Sequence, residues 1–303
     1  MFQKKEEDFI KNLDSRRRIR SQFVVADKQI KTGKTGRKFI DLTLTDKTGR
    51  IIGRIFPEEI AEDLFDTIET RTVYRIIGNL NEFPHGSGRY NIIIDIFNKL
   101  QKDEYNLDDF VIVSKIDKTK LLSEIKKTIK NIQDPYLKNL LNKFFDDEKF
   151  IEEFSNTPSA KIYHHNYIGG LLEHSVGVLK ICKTVFEIFP VLNADLLYTA
   201  AILHDIGKIK TYDYDLISID FSTEGKLLDH LIISCDMVKE MMNGINMPYE
   251  LSTQLLHIIL SHHGDVQNGW GSAVNPKTPE AVALHYADNL DAKVKGTLQN
   301  NII

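Results

Sequence analysis

AILHDIGKIK, residues 201–210, begins as the apolar end of a helix. It then sets His204 beside Asp205, with Gly207 and Lys208 following. Burying an imidazole, a carboxylate and an ammonium costs several kcal/mol, roughly, unless they are paired or bound to a metal. The stretch therefore needs partners elsewhere in the chain, and packed helices could deliver them.

The candidates are His174 in GGLLEHS, His230 in LLDHL, His262–His263 in LSHHGD and Asp288 in LHYADNLDAK. From His174 through His204, His230 and His262 to Asp288, consecutive members lie 26 to 32 residues apart. That is the length of one helix plus its connection, so packed helices could bring all of them to one pocket. Nine of the ten histidines fall between His164 and His285, which separates this part of the chain from the rest. Imidazole with carboxylate suits Mn first, with Fe, Co, Ni or Zn as alternatives. An adjacent His-Asp pair lets the carboxylate bridge two ions while the histidine binds one. Two ions about 3.5–4 Å apart can activate water and stabilise both oxygens of an in-line phosphoryl displacement. The absence of cysteine from the set argues against a structural zinc site.

Outward from this centre, Lys118 onward reads as helical, with segments near 147–155, 171–188, 193–204, 227–243, 248–262 and 278–294. Upstream, residues 16–100 read as β. KFIDLTLTD alternates as a half-buried strand does, and KTGKTGRK and PHGSG mark turns. The order is three strands, the helix PEEIAEDLFDTI, then two strands, as in an OB-fold barrel. Residues 1–15 are charged and read as a short, loosely held helix, and 101–117 as a linker. The expected architecture is multi-domain β + α: an N-terminal OB-fold β barrel followed by an all-α domain at 118–303.

The first strands are basic, with Arg16, Arg17, Arg18, Arg20, Lys28, Lys31, Lys34, Arg37 and Lys38. Phe39, Phe56 and Tyr90 are interleaved with Arg37, Arg54 and Arg89. A basic groove with aromatic platforms is how OB-folds hold single strands, so these six are candidate substrate contacts. The formal charge of −4 over 303 residues does not by itself announce a nucleic-acid binder, because local patches matter more than the sum. Cys182 and Cys235 form no disulfide framework and read as buried free thiols. With no signal peptide and no apolar run long enough for a bilayer, a reducing cytoplasm is the expected setting and no membrane partner is expected.

The ordered set His…His-Asp…His…His-His…Asp resembles the HD-domain metal-dependent phosphohydrolases. YHHNYIGGLLEHS, AILHDIGK, LSHHG and TPEAVALHYADNLDAK resemble, more narrowly, the YhaM family of 3′→5′ exoribonucleases. That family also carries an N-terminal OB-fold, so the resemblance spans nearly the whole chain. It implies a first metal site from His174, His204, Asp205 and Asp288, with Asp205 bridging. A second would use His230 and His262, with His263 as a further donor, giving two divalent ions per chain. Asp205 and Lys208 would be catalytic, Lys208 holding a phosphate oxygen or assisting the leaving group. Read without the resemblance, Lys208 is a solvated lysine at a helix end. One of His164 and His165 would contact the substrate phosphate. His285 could brace a ligand, His257 reads as core, and Glu173 receives no role.

The resulting expectation is a metal-dependent exoribonuclease acting on single-stranded RNA, with single-stranded DNA or short oligonucleotides as further substrates. A small-molecule HD enzyme, either a cyclic-nucleotide phosphodiesterase or a nucleotidase, is the first rival. A nucleic-acid-binding module with an inert HD site is the second. The oligomeric state is open, a homo-oligomer included.

Overall fold

The structure is a computed structural model and describes residues 4–33, 35–57, 61–161, 164–215, 218–269 and 271–299. Lys34 of the basic run lies outside them. The chain forms two compact units: Met1–Ile112 with Asp215–Ser218, and Val113–Tyr214 with Ile219–Ile303.

The first unit is a closed five-stranded barrel. Its strands are β1 (Arg18–Thr32), β2 (Lys38–Asp46), β3 (Gly49–Ile55), β4 (Thr72–Glu82) and β5 (Tyr90–Lys99), in the order β1-β2-β3-β5-β4. A helix, α1 (Ala61–Thr67), separates β3 from β4. The element order expected of an OB-fold is therefore the one observed. Closure depends on β1. Its first half pairs with β4 (Arg18 to Val25) and its second half with β2 (Val24 to Thr32), with a register shift between Val25 and Asp27. An irregularity of this kind bends a strand and increases its twist, so one strand can serve two neighbours at an angle. Alternation in β2 points Ile40, Leu42 and Leu44 inward, where they are fully buried with Phe23, Ile76 and Ile92.

The N-terminal residues are not a loosely held helix. They form two short 3-10 turns, Glu6–Asp8 and Ile10–Asn12, anchored by buried Phe9 and Leu13. Lys4 is fully buried: its Nζ donates to Asp46 Oδ2 at 2.7 Å and to the Gln22 carbonyl at 2.8 Å, and lies 3.9 Å from the Phe23 ring centre. Charge dominates the composition of this segment, but the apolar Phe9 and Leu13 decide its position. After the barrel, Phe110 packs with Val24, Val73 and Leu100. Val113 forms a parallel bridge with Ile168 in the second unit.

The second unit is helical: α2 (Lys118–Asn131), α3 (Pro135–Phe145), α4 (Glu148–Asn156), α5 (Gly170–Ile188), α6 (Ala194–Leu203), α7 (Lys208–Thr211), α8 (Thr223–Met242), α9 (Tyr249–Ser261) and α10 (Pro279–Gln299). Asp117, Asp134, Asp147, Asn193 and Ser222 cap α2, α3, α4, α6 and α8 through side-chain acceptors, which fixes where each begins. The unit is not purely α. A small antiparallel hairpin, β6 (Tyr212–Tyr214) and β7 (Ile219–Phe221), follows α7 in a segment too short and mixed to show a period. Helix α6 and the first turns of α5 are apolar nearly all round and buried, so polar side chains on them face the interior. Cys182 and Cys235 are free and buried, and burial pushes both thiols up to about 12.

Removing one partner of a buried ion pair strands the other charge. Lys4→Ala should therefore lower the stability of the barrel by about 3 kcal/mol. Lys4→Met, which fills the same space but also leaves Asp46 without its cation, should recover little. Urea unfolding of the two variants checks this, and an unchanged midpoint for Lys4→Ala would refute the anchor.

Candidate metal centre

The helices bring together every expected ligand. His174 projects from the second turn of α5, and His204 and His262 occupy the C-caps of α6 and α9. His230 sits on α8 and Asp288 on α10, and Asp205 lies in the middle, fully buried. Its two oxygens face different sets. Oδ2 is 3.4 Å from His174 Nε2 and 3.4 Å from His204 Nε2, and Asp288 Oδ1 lies 3.0 Å from the same His174 nitrogen. Oδ1 is 3.4 Å from His230 Nε2 and 3.6 Å from His262 Nε2, and His263 Nε2 stands 3.3 Å from that of His230.

The far side of four of these rings is occupied. His204 Nδ1 donates to the Ala201 carbonyl at 3.0 Å, and His262 Nδ1 to the Ile259 carbonyl at 2.7 Å. His174 Nδ1 donates to Asp291 Oδ2 at 2.7 Å, and His230 Nδ1 donates to Asp229 Oδ1. With the proton on Nδ1, each Nε2 keeps its lone pair for the centre, the arrangement that ligating histidines adopt.

A divalent cation fits this set. Asp205 Oδ1 and His262 Nε2 are buried without a hydrogen bond. The Nε2 atoms of His174 and His204 stand 3.4 Å apart with both Nδ1 protons committed, which sets lone pair against lone pair unless a positive charge lies between them. Three carboxylates, Asp205, Asp288 and Asp291, surround the first set, against the single ammonium of Lys208. Burial alone would raise Asp205, but Lys208 and His204, with hydrogen bonds from His174 and His204, hold it well below the usual carboxylate range. Burial alone would lower His174, yet hydrogen bonds to Asp205, Asp288 and Asp291 raise it well above the ordinary value. His230 and His262 are lowered by burial and stay neutral.

Lys208 is not a solvated helix-end lysine. It is buried, its Nζ 2.5 Å from Asp205 Oδ2 and 3.3 Å from Ser159 Oγ. His164 lies beside the cluster, its ring centre 5.2 Å from that of His174, with Nε2 buried and unpartnered. Burial and then the Lys208 charge push it down to about 3, so the ring is neutral. His165 has no nitrogen left for a phosphate: Nδ1 meets the Tyr167 hydroxyl at 2.9 Å and Nε2 meets Asp291 at 2.9 Å. That corrects its place among the substrate contacts. Glu173 is buried and pairs with Lys295 at 2.5 Å, and so acquires a partner the sequence reading withheld. His285 Nδ1 donates to the His262 carbonyl at 2.8 Å. His257 is half-buried and accepts the Lys277 N–H at 3.0 Å, so it caps a turn instead of filling the core.

On the barrel, the Arg54 guanidinium carbon lies 5.7 Å from the Phe39 ring centre and 5.6 Å from that of Phe83. Phe56 is 57% exposed and stands 5.4 Å from Phe39. Nearly buried Asp41 accepts from Arg54 Nε at 2.9 Å and from Lys31 Nζ at 2.8 Å, so it holds both cations in place. Arg37 and Arg89 are exposed. Tyr90 is partly buried and packs against the barrel core.

Residues 171–293 match the HD domain family, and residues 24–100 match an OB-fold nucleic acid binding domain. The 3′-5′ exoribonuclease YhaM of Bacillus subtilis is 31% identical over 86% of this chain and 80% of its own length. That of Shouchella clausii is 33% identical over 89% of this chain and 81% of its own. The chain belongs to the YhaM family of 3′-5′ exoribonucleases. A Listeria monocytogenes phosphodiesterase HD domain covers 54% of this chain and 74% of its own at 18% identity, with a TM-score of 0.30.

Within this YhaM-family chain, sequence reasoning missed Asp291, Asp229, Ser159 and Phe83. Asp291 left a signal, because it follows Asp288 by three residues and so shares its helix face. Asp229 precedes His230 and holds a backbone conformation of φ 61° and ψ 158° inside α8, one that costs a non-glycine residue of order 1–3 kcal/mol. Gly207 has a different reason. A Cβ there would lie 2.3 Å from the His230 carbonyl oxygen and 2.5 Å from Ser234 N, so α8 rests directly on the His-Asp turn. Gly207→Ala should push α8 and His230 away, at a cost of about 1–3 kcal/mol. Thermal unfolding together with oligoribonucleotide hydrolysis measures it, and a wild-type melting temperature with full activity would contradict the contact.

Proposed function

We propose that this chain is a metal-dependent 3′→5′ exoribonuclease that releases 5′-mononucleotides from single-stranded RNA. The observation that carries the reading is Asp205, whose two buried oxygens each face a separate group of imidazoles. His174, His204 and Asp288 would hold one divalent ion, and His230, His262 and His263 the other, with Asp205 shared. Mn is the ion proposed here, and the same donors accept Fe, Co, Ni or Zn. When bound, such ions activate water and stabilise the charge that develops on the phosphodiester oxygens. Lys208 keeps Asp205 ionised and places an ammonium beside the point of cleavage. His164 offers a neutral ring with an unpartnered Nε2 to a phosphate or sugar hydroxyl. The barrel supplies the grip, with Arg54 fixed by Asp41 between Phe39 and Phe83 and with exposed Phe56 as a stacking platform. The buried free thiols support a reducing, cytoplasmic setting. Among the described residues, no helix is long and apolar enough to cross a membrane.

A 5′-labelled oligoribonucleotide should give a ladder that shortens from the 3′ end. Chelation should stop the reaction and Mn should restore it. Asp205→Ala and His204→Ala should lower hydrolysis by more than about 100-fold while single-stranded RNA binding is kept. Full activity of the Asp205 variant in added Mn would sink the mechanism, and turnover of mononucleotides alone would favour the small-molecule rival.

Phe56→Ala should weaken single-strand binding by about 1–3 kcal/mol, the range of one base-stacking platform. Fluorescence anisotropy with a labelled oligonucleotide measures it, and unchanged affinity would remove Phe56 from the grip.

A further inference from the structure

We propose that Asp291 is the positioning residue of the first cation site, bracing His174 and His165 as one unit, and that residue 177 is glycine to leave room for it. The proposal rests on the metal-dependent reading given above.

The geometry assigns the proton in both contacts of Asp291. Asp291 Oδ2 lies 2.7 Å from His174 Nδ1 and 2.9 Å from His165 Nε2. An ionised carboxylate only accepts, so both nitrogens donate. His165 Nδ1 lies 2.9 Å from the Tyr167 hydroxyl, which is also hydrogen-bonded to Glu173. The outcome is a single tautomer for His174, with its Nε2 lone pair aimed at Asp205 and Asp288. Asp291 cannot share that cation, because it lies on the Nδ1 side of the ring and the other two carboxylates lie on the Nε2 side. Helix α10 thus holds the ring of His174 from both ends, with Asp288 and Asp291 one turn apart.

Gly177 supplies an independent observation. It lies within α5, one turn after His174, where glycine weakens a helix relative to alanine. A Cβ at Gly177 would stand 2.3 Å from Asp291 Oδ1 and 3.0 Å from Asp291 Cγ. The colliding atoms are the end of a flexible side chain, so alanine would be accommodated by moving the carboxylate while the helix stays in place. The three heavy atoms nearest to that position all belong to the Asp291 carboxylate.

The test is Mn(II) titration of the metal-stripped full-length protein, following the free ion by electron paramagnetic resonance. Asp291→Asn and Gly177→Ala should each weaken Mn uptake on the order of 10–100-fold, the range for partners that orient a ligand. A residue that acts only through the His174 ring should leave KM for the oligonucleotide unchanged, while kcat falls at limiting Mn and recovers in excess. In the background of Asp291→Ala, Gly177→Ala should have no further effect on Mn affinity, because the two act through one carboxylate. A merely structural glycine would instead leave Gly177→Ala at least as stable and with wild-type Mn affinity, and that result would overturn the proposal. Independent, multiplying effects of the two substitutions would overturn it as well. A wild-type protein that takes up no Mn would defeat the metal-dependent reading itself, an outcome visible before any variant is compared.

Discussion

The buried Asp205 carboxylate is the constraint around which the helical unit is organised. An ionised group that deep in a protein must be met by positive charge or by donors on every side. Lys208, one turn along the chain, meets part of that need. The rest is met by imidazoles that arrive on α5, α6, α8 and α9, four helices far apart in sequence. Each of these helices must therefore end, or turn its inner face, at the same point. The apolar character of α5 and α6 follows from that requirement. So does the absence of a side chain at Gly207, where α8 has to lie against the His-Asp turn.

The sequence made the centre legible because the ligands recur at intervals of one helix and its connection, and because His204–Asp205 ends an apolar run. The order of strands and helix in the barrel was legible for a similar reason, since alternation in β2 and the turns around it are strong local signals. The outer ring of the site was not. Asp291 and Asp229 are acidic residues on helices, a composition that usually marks a solvated face, and only the approach of His165, His174 and His230 gives them partners. His165 shows the opposite case. Its residue type suited a phosphate contact, but the fold had already used both of its ring nitrogens. The N-terminal segment shows the same limit, because nothing local in its charged sequence reveals that Lys4 will reach Asp46.

The barrel reaches its electrostatics by a different route from the helical unit. Its basic residues are many, and two of them, Lys31 and Arg54, are fixed in direction by one carboxylate, Asp41. Holding a guanidinium between two aromatic rings before any strand arrives removes part of the ordering cost that a mobile arginine would incur on binding. Arg37 and Arg89, exposed beside the same face, can add attraction at longer range, where salt screens it.

Strand β1 has a consequence for the order of events during synthesis. Because its two halves pair with β2 and with β4, neither half of the barrel is complete without it, and β4 in turn needs β5. The ring cannot close on the ribosome until the chain has been made as far as Lys99. The pairings that close it, β1 with β4 and β3 with β5, are distant in sequence, which makes such closure slow compared with helix formation. The bulge that lets one strand serve two neighbours thus makes the barrel close all at once, when β5 becomes available. Lys4, the first described residue, can be seated only once Asp46 and Phe23 have been fixed by that closure.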